Sequence, residues 1–117
     1  MLMGAFAVFT LVAVMGLSIV ASVWRGQSVE AGYPLLHGAA ALFGSALVIL
    51  TALDGDTRVY LNIGLALVII GLGATLGIFA KKGKRAPKAI LVAHVGLAVV
   101  CYGLLGFFAL NPYATIV

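Results

Sequence analysis

Four long apolar segments, separated by three short polar connections, make up almost the whole chain. The segments cover residues 2–24, 31–53, 59–80 and 87–110. Each is close to the roughly 20 residues that a helix needs to cross a bilayer. A backbone in lipid must pair its polar groups internally, which favours helices over open strands. The pattern therefore predicts an all-α membrane protein in which residues 1–117 form one four-helix transmembrane bundle.

The charged residues predict how this bundle lies in the membrane. Only 9% of the 117 residues are charged, whereas a soluble domain carries about 25%. Five of the seven basic residues fall within residues 81–88, and basic loops stay on the cytoplasmic side. With four spans, residues 25–30 are then inside too, and residues 54–58 and both termini are outside. We expect an integral protein of a bacterial cytoplasmic (inner) membrane, with the lipid bilayer as its partner and no nucleic acid.

A shift of 57 residues brings landmarks of the two halves into register. The shared landmarks are two glycine pairs, an alanine pair, a hydroxyl pair and the two histidines: Gly16 and Gly73, Gly26 and Gly83, Ala41 and Ala98, Ser18 and Thr75, and His37 and His94. We hypothesise a parallel two-helix repeat, whose halves are related by a pseudo-twofold axis along the membrane normal.

The two histidines are the residues with which this chain could carry chemistry. His37 and His94 both fall within predicted spans. A rise of about 1.5 Å per residue places each on the order of 8 Å below the cytoplasmic interface. Two imidazoles at one depth can fill both axial positions of a b-type haem iron, whereas two ligands are too few for a typical zinc or copper site. No acidic or basic residue lies deep in a span, so a proton relay on membrane carboxylates is unsupported.

Small residues beside the histidines predict space for a planar group. Residues three, four and seven positions further along a helix share a face with the first. On the faces of His37 and His94 these positions include Ala41, Gly44 and Ala98. The predicted haem b therefore lies between the second and fourth helices.

Polar side chains at nearby levels complete the predicted site. Ser18 and Thr75 lie near the depth of the histidines on the first and third helices. Each is a candidate partner for an imidazole N–H, as is a backbone carbonyl one turn earlier. Arg25 and Lys88 belong to the basic residues near the cytoplasmic face that could bind haem propionates.

This arrangement resembles the small membrane-bound b-type cytochromes, which are four-helix bundles with bis-histidine haem. The resemblance rests on the helix layout and on His37 and His94. Two-haem members use four histidines, so one such haem is the maximum here. The resemblance implies one-electron transfer, with a quinone or a partner redox subunit, and an electron carrier or subunit rather than a stand-alone enzyme.

Two other classes of function stay open. A histidine near the interface often packs with its polar tip toward the headgroups. His37 and His94 would then be structural residues of a non-catalytic small subunit or assembly partner, in a homo- or hetero-oligomer. The third class is a small oligomeric transporter or channel, which the lack of charged pore residues disfavours.

Overall fold

Four α-helices carry nearly all of the chain in the computed structural model, which describes residues 1–116. The helices are α1 (Leu2–Trp24), α2 (Gly32–Leu53), α3 (Tyr60–Lys81) and α4 (Lys88–Leu110), and a single 3₁₀ turn (Thr57–Val59) leads into α3. Val117, the last residue of the predicted domain, lies outside the described residues. All four helices are long and apolar enough to cross a membrane, and no strand occurs in the described part of the chain. The predicted all-α fold with four candidate spans is confirmed.

The second residue of each connection is a glycine whose backbone lies in the left-handed region. The φ angles are 69° at Gly26, 103° at Gly55 and 66° at Gly83. After Gly83, for example, the N–H of Lys84 donates to the Phe79 carbonyl over 3.0 Å. Such turns satisfy carbonyls at the end of a helix and need a residue without a Cβ. The glycines thus explain why the apolar segments stop where they do.

The helices form a ring in chain order. Each helix packs against its sequence neighbours, and α4 returns to contact α1, so that α2 and α4 lie diagonally opposite. The molecule measures 45 × 24 × 20 Å, and its long axis matches the about 40–45 Å thickness of a bilayer with its headgroups. We call the end with residues 25–31 and 81–88 the lysine end. The aspartate end holds residues 54–56, the start of α1 and the end of α4.

The best-packed part of the bundle is its aspartate end. Five buried apolar residues, contributed by α1, α2, α4 and the 3₁₀ turn, form one cluster there: Ala5, Val48, Ala52, Val59 and Leu105. The partly buried Ile63 of α3 packs against it. Small residues let the backbones approach closely, which is how helices associate in lipid. This cluster fixes the ring of helices from one end.

Arg58, next to this cluster, binds the segment that follows α4. Its guanidinium donates to the Asp56 carboxylate over 2.6 Å and to the carbonyls of Asn111 and Ala114 over 3.2 Å each. The same group lies 5.3 Å from the centre of the Phe108 ring. A charge near the membrane is stabilised when its donors are satisfied in this way.

Candidate functional site

His94 links α4 to α3 through a hydrogen bond to the backbone. Its Nδ1 lies 3.0 Å from the carbonyl oxygen of Ile69. A carbonyl oxygen can only accept, so Nδ1 carries the proton, and Nε2 of the neutral ring keeps its lone pair. Metal-bound histidines commonly donate their other ring N–H to such a carbonyl, which fixes the ring orientation and raises the basicity of the ligating nitrogen. The lone pair of the neutral His94 ring is therefore on Nε2, the nitrogen available to a ligand or donor.

Gly73 lets the His94 ring lie directly against α3. A Cβ built at this glycine would be 3.0 Å from Cε1 and 3.5 Å from Nδ1 of His94. Ordinary van der Waals contacts begin at about 3.4 Å, so any side chain at position 73 would displace the ring. The glycine is required here by close approach, not by an unusual backbone angle.

His37 makes the same contact 57 residues earlier. A Cβ at Gly16 of α1 would be 3.0 Å from Cε1 of His37. The Val12 carbonyl, which corresponds to that of Ile69, lies near the His37 ring, but Nδ1 of His37 is buried without a hydrogen-bond partner. The histidine–glycine contact therefore recurs in both helix pairs with the spacing of the sequence landmarks.

The two imidazoles lie at matching levels of the bundle. His37 is five residues beyond the start of α2, and His94 is six residues beyond the start of α4. At about 1.5 Å per residue, both lie about 8 Å from the helix ends. Their helices are diagonal partners in the ring.

The two imidazoles are the donors that could hold a metal-containing group. In residues 1–116, neither Nε2 atom takes part in a hydrogen bond, and Nδ1 of His37 has no partner. No group of three or more His, Cys, Asp and Glu side chains comes together in that part of the chain. An axial haem site needs only two protein ligands, and His37 and His94 are the two available.

The hydroxyl groups of Ser18 and Thr75 have partners or surroundings other than the predicted imidazoles. Thr75 donates to the Gly71 carbonyl of its own helix over 2.9 Å, and the partner of His94 is instead the Ile69 carbonyl. Ser18 is exposed on the outer surface of α1. Neither hydroxyl is hydrogen-bonded to an imidazole within the described residues.

The small residues near the histidines have different surroundings. A Cβ at Gly44 would be 2.9 Å from Cε2 of Phe9, so this aromatic ring already occupies the space beside that glycine. Ala41 and Ala98 are half-buried. Of the small positions predicted to leave space, these two alanines are the ones that lie within one turn of a histidine.

The basic residues predicted to bind propionates lie at the lysine end, outside the histidine level. Arg25 and Lys88 are both exposed. The Lys88 Nζ is 6.0 Å from the centre of the Trp24 ring. Both side chains are long and flexible enough to reach an anionic group at this end of the bundle.

Sequence reasoning did not single out Asn62, the most deeply buried polar side chain with an unpaired atom. Asn62 in α3 is 2% exposed. Its Nδ2 donates to the Cys101 carbonyl over 2.9 Å, while its Oδ1 is buried without a partner. The sequence does contain a sign of this role, because an amide side chain within an apolar span is costly unless it is paired. It ties α3 to α4 on the aspartate side of the histidines.

A second polar contact joins α1 to α4. The hydroxyls of Thr10 and Tyr102 are 2.8 Å apart, and the Tyr102 ring stacks on Phe6 with 5.2 Å between ring centres. A paired hydroxyl in an apolar span stabilises a helix interface. Tyr102 is therefore a packing residue between α1 and α4.

Comparisons with protein-family models, curated proteins and solved structures found no match to this chain. A helical bundle alone hosts many functions. A functional conclusion therefore rests on His37, His94 and their surroundings.

Proposed function

We propose that this protein is a membrane-embedded b-type haem protein for electron transfer, with His37 and His94 as the axial ligands of one haem. The observation that carries the proposal is the repeated contact in which a glycine of the preceding helix seats each imidazole. Two independent helix pairs thus present one imidazole each at the same level. This is the donor set of a low-spin haem.

The backbone of α3 would tune one of the ligands. The Ile69 carbonyl accepts the Nδ1 proton of His94, which leaves Nε2 as the more basic ring nitrogen. His37 has the corresponding Val12 carbonyl nearby, but the geometry at its Nδ1 does not complete a hydrogen bond. A bound haem b supplies reversible one-electron transfer at its iron. The chain supplies ligands of unequal basicity on its two sides.

The proposed orientation places the lysine end in the cytoplasm and both termini outside, in a bacterial inner membrane. Six of the seven basic residues belong to the lysine end, and basic loops stay inside. Arg25 and Lys88 would bind haem propionates at this end. The proposed electron partners are a quinone or a redox subunit, the latter in a hetero-oligomer.

The haem content of the purified protein tests the proposal. Protein from haem-replete membranes should contain one haem per chain, and its reduced spectrum should have the sharp alpha band of six-coordinate, low-spin haem. The physical reason is that two imidazoles fill both axial positions. A colourless protein that is folded and monodisperse, from a host with sufficient haem, would contradict the proposal.

A second candidate function is a non-catalytic subunit in which the imidazoles clamp the helices. The observation in its favour is the same hydrogen bond between His94 and Ile69, which joins two spans directly. Interhelical hydrogen bonds in membranes contribute about 0.6 kcal/mol on average. In this case His94→Ala should weaken the helix pair, and the wild-type protein should carry no haem.

A further inference from the structure

An apolar groove runs between α1 and α4 at the lysine end. It has a volume of about 260 Å³ and is lined by six residues without a charged group: Val20, Trp24, Leu91, Val92, Val95 and Gly96. Trp24 is the last residue of α1, and Lys88 is the first residue of α4. The groove therefore begins at the predicted membrane surface and continues along lipid-facing parts of both helices.

An uncompensated positive charge lies at the mouth of this groove. The Lys88 Nζ is 6.0 Å from the centre of the Trp24 ring, and that indole is 74% exposed. Within residues 1–116, the one ion pair joins Asp56 to Arg58 at the aspartate end, so Lys88 is not part of an ion pair. The lysine end holds five other basic residues and one acidic residue: Arg25, Lys81, Lys82, Lys84, Arg85 and Glu30.

We infer that this groove binds an anionic phospholipid, with one acyl chain between α1 and α4 and the phosphate at Lys88 and Trp24. The apolar lining matches a hydrocarbon chain. The Lys88 ammonium and the Trp24 indole N–H can both donate hydrogen bonds to a phosphate. Basic pockets between membrane helices on the cytoplasmic side bind anionic headgroups in this way.

Charge favours a lipid over a second apolar helix as the occupant. A helix packed in the groove would cover the lining but would offer the Lys88 ammonium no counter-ion. A phosphatidylglycerol molecule covers the lining and neutralises the charge together. This inference does not depend on a bound haem. It shares Lys88 with the proposed haem site, where Arg25 remains as a basic residue for a propionate.

Trp24 is the single tryptophan of the chain, so all of the tryptophan fluorescence comes from the mouth of the groove. The protein would be reconstituted in phosphatidylcholine vesicles with increasing amounts of phosphatidylglycerol brominated on its acyl chains, and in a parallel series with brominated phosphatidylcholine. Half-maximal quenching should need about fivefold less brominated phosphatidylglycerol, which corresponds to about 1 kcal/mol for one basic residue at the membrane surface. Any quenching by a bound haem is equal in the two series and leaves the ratio unchanged.

Two variants with the same charge change separate a site from general attraction. Lys88→Gln should reduce the preference to near parity, whereas Lys84→Gln, in the exposed connection, should retain most of it. Equal losses in both variants would overturn the inference, since diffuse attraction does not depend on position. Equal quenching by both lipids in the wild type would overturn it as well. Weak quenching by either lipid would show that protein, a second copy or a partner, covers the groove.

Discussion

An alanine at position 73 is the most direct perturbation of the histidine packing. Its methyl group would lie 3.0 Å from Cε1 of His94, so the ring must retreat by a few tenths of an ångström. That movement also lengthens the 3.0 Å hydrogen bond to Ile69. Overpacking of this kind costs about 1–3 kcal/mol. Alanine is better than glycine in a helix by up to about 1 kcal/mol, which partly offsets the cost.

Gly77 provides the matched control, one turn further along the same helix. A Cβ at Gly77 meets nothing within 4 Å, so Gly77→Ala keeps the gain in helix propensity without the clash. Gly73→Ala should therefore have a free energy of unfolding about 1–3 kcal/mol below that of Gly77→Ala. The assay is unfolding in detergent micelles titrated with sodium dodecyl sulfate, followed by circular dichroism.

A double-mutant cycle assigns the effect to the ring. In a His94→Ala background the methyl group at position 73 has no imidazole to displace, so the two alanine variants should unfold with equal free energies. Equal stabilities of Gly73→Ala and Gly77→Ala in the wild-type background would refute the packing described for His94. A difference that persists without His94 would place its cause elsewhere in α3.

Three further predictions concern topology, the hydroxyl groups and the aspartate end. In a cysteine-free background, Gly83→Cys should be labelled only from the cytoplasm and Gly55→Cys only from outside, because six basic residues lie at the lysine end; labelling of Gly83→Cys from outside would reverse the orientation. Ser18→Ala and Thr75→Val should retain haem and at most shift its potential, since neither hydroxyl bonds an imidazole; loss of the low-spin spectrum in either variant would contradict this placement. The hydrogen bond from Arg58 holds the pKa of Asp56 below its ordinary value. The ionised carboxylate therefore stabilises the folded protein at neutral pH. This stabilisation is lost as the pH falls below about 4 and through the lowered pKa. Asp56→Asn should unfold with a smaller acid dependence than the wild type, and an unchanged dependence would show that the pair is not linked to folding.

The helices could be predicted from the sequence because lipid imposes a simple rule on it. Long apolar runs must form helices, and the glycines at 26, 55 and 83 mark their ends through backbone angles that other residues avoid. The matching levels of His37 and His94 also follow from position alone, since helical rise is constant. Positions along a helix are therefore predictable from residue number.

The contacts of the side chains were less predictable, because they depend on how the helices rotate against each other. The partner of His94 is a carbonyl of α3, and every residue offers a carbonyl, so no residue type marks it in the sequence. Phe9 fills the space beside Gly44 from a different helix. The role of Asn62 depends on its meeting Cys101, 39 positions away. Such pairings are set by packing across the bundle, which the spacing within one helix does not encode.

The assignment of both axial ligands is tested most directly by the spectra of two histidine variants. If His37 and His94 each hold one side of the haem, His37→Ala and His94→Ala should each lose the low-spin spectrum, because each leaves one axial position open. Added imidazole should restore the low-spin alpha band in both variants by occupying the opened position. A low-spin spectrum that is unchanged in either variant, without added imidazole, would contradict the assignment.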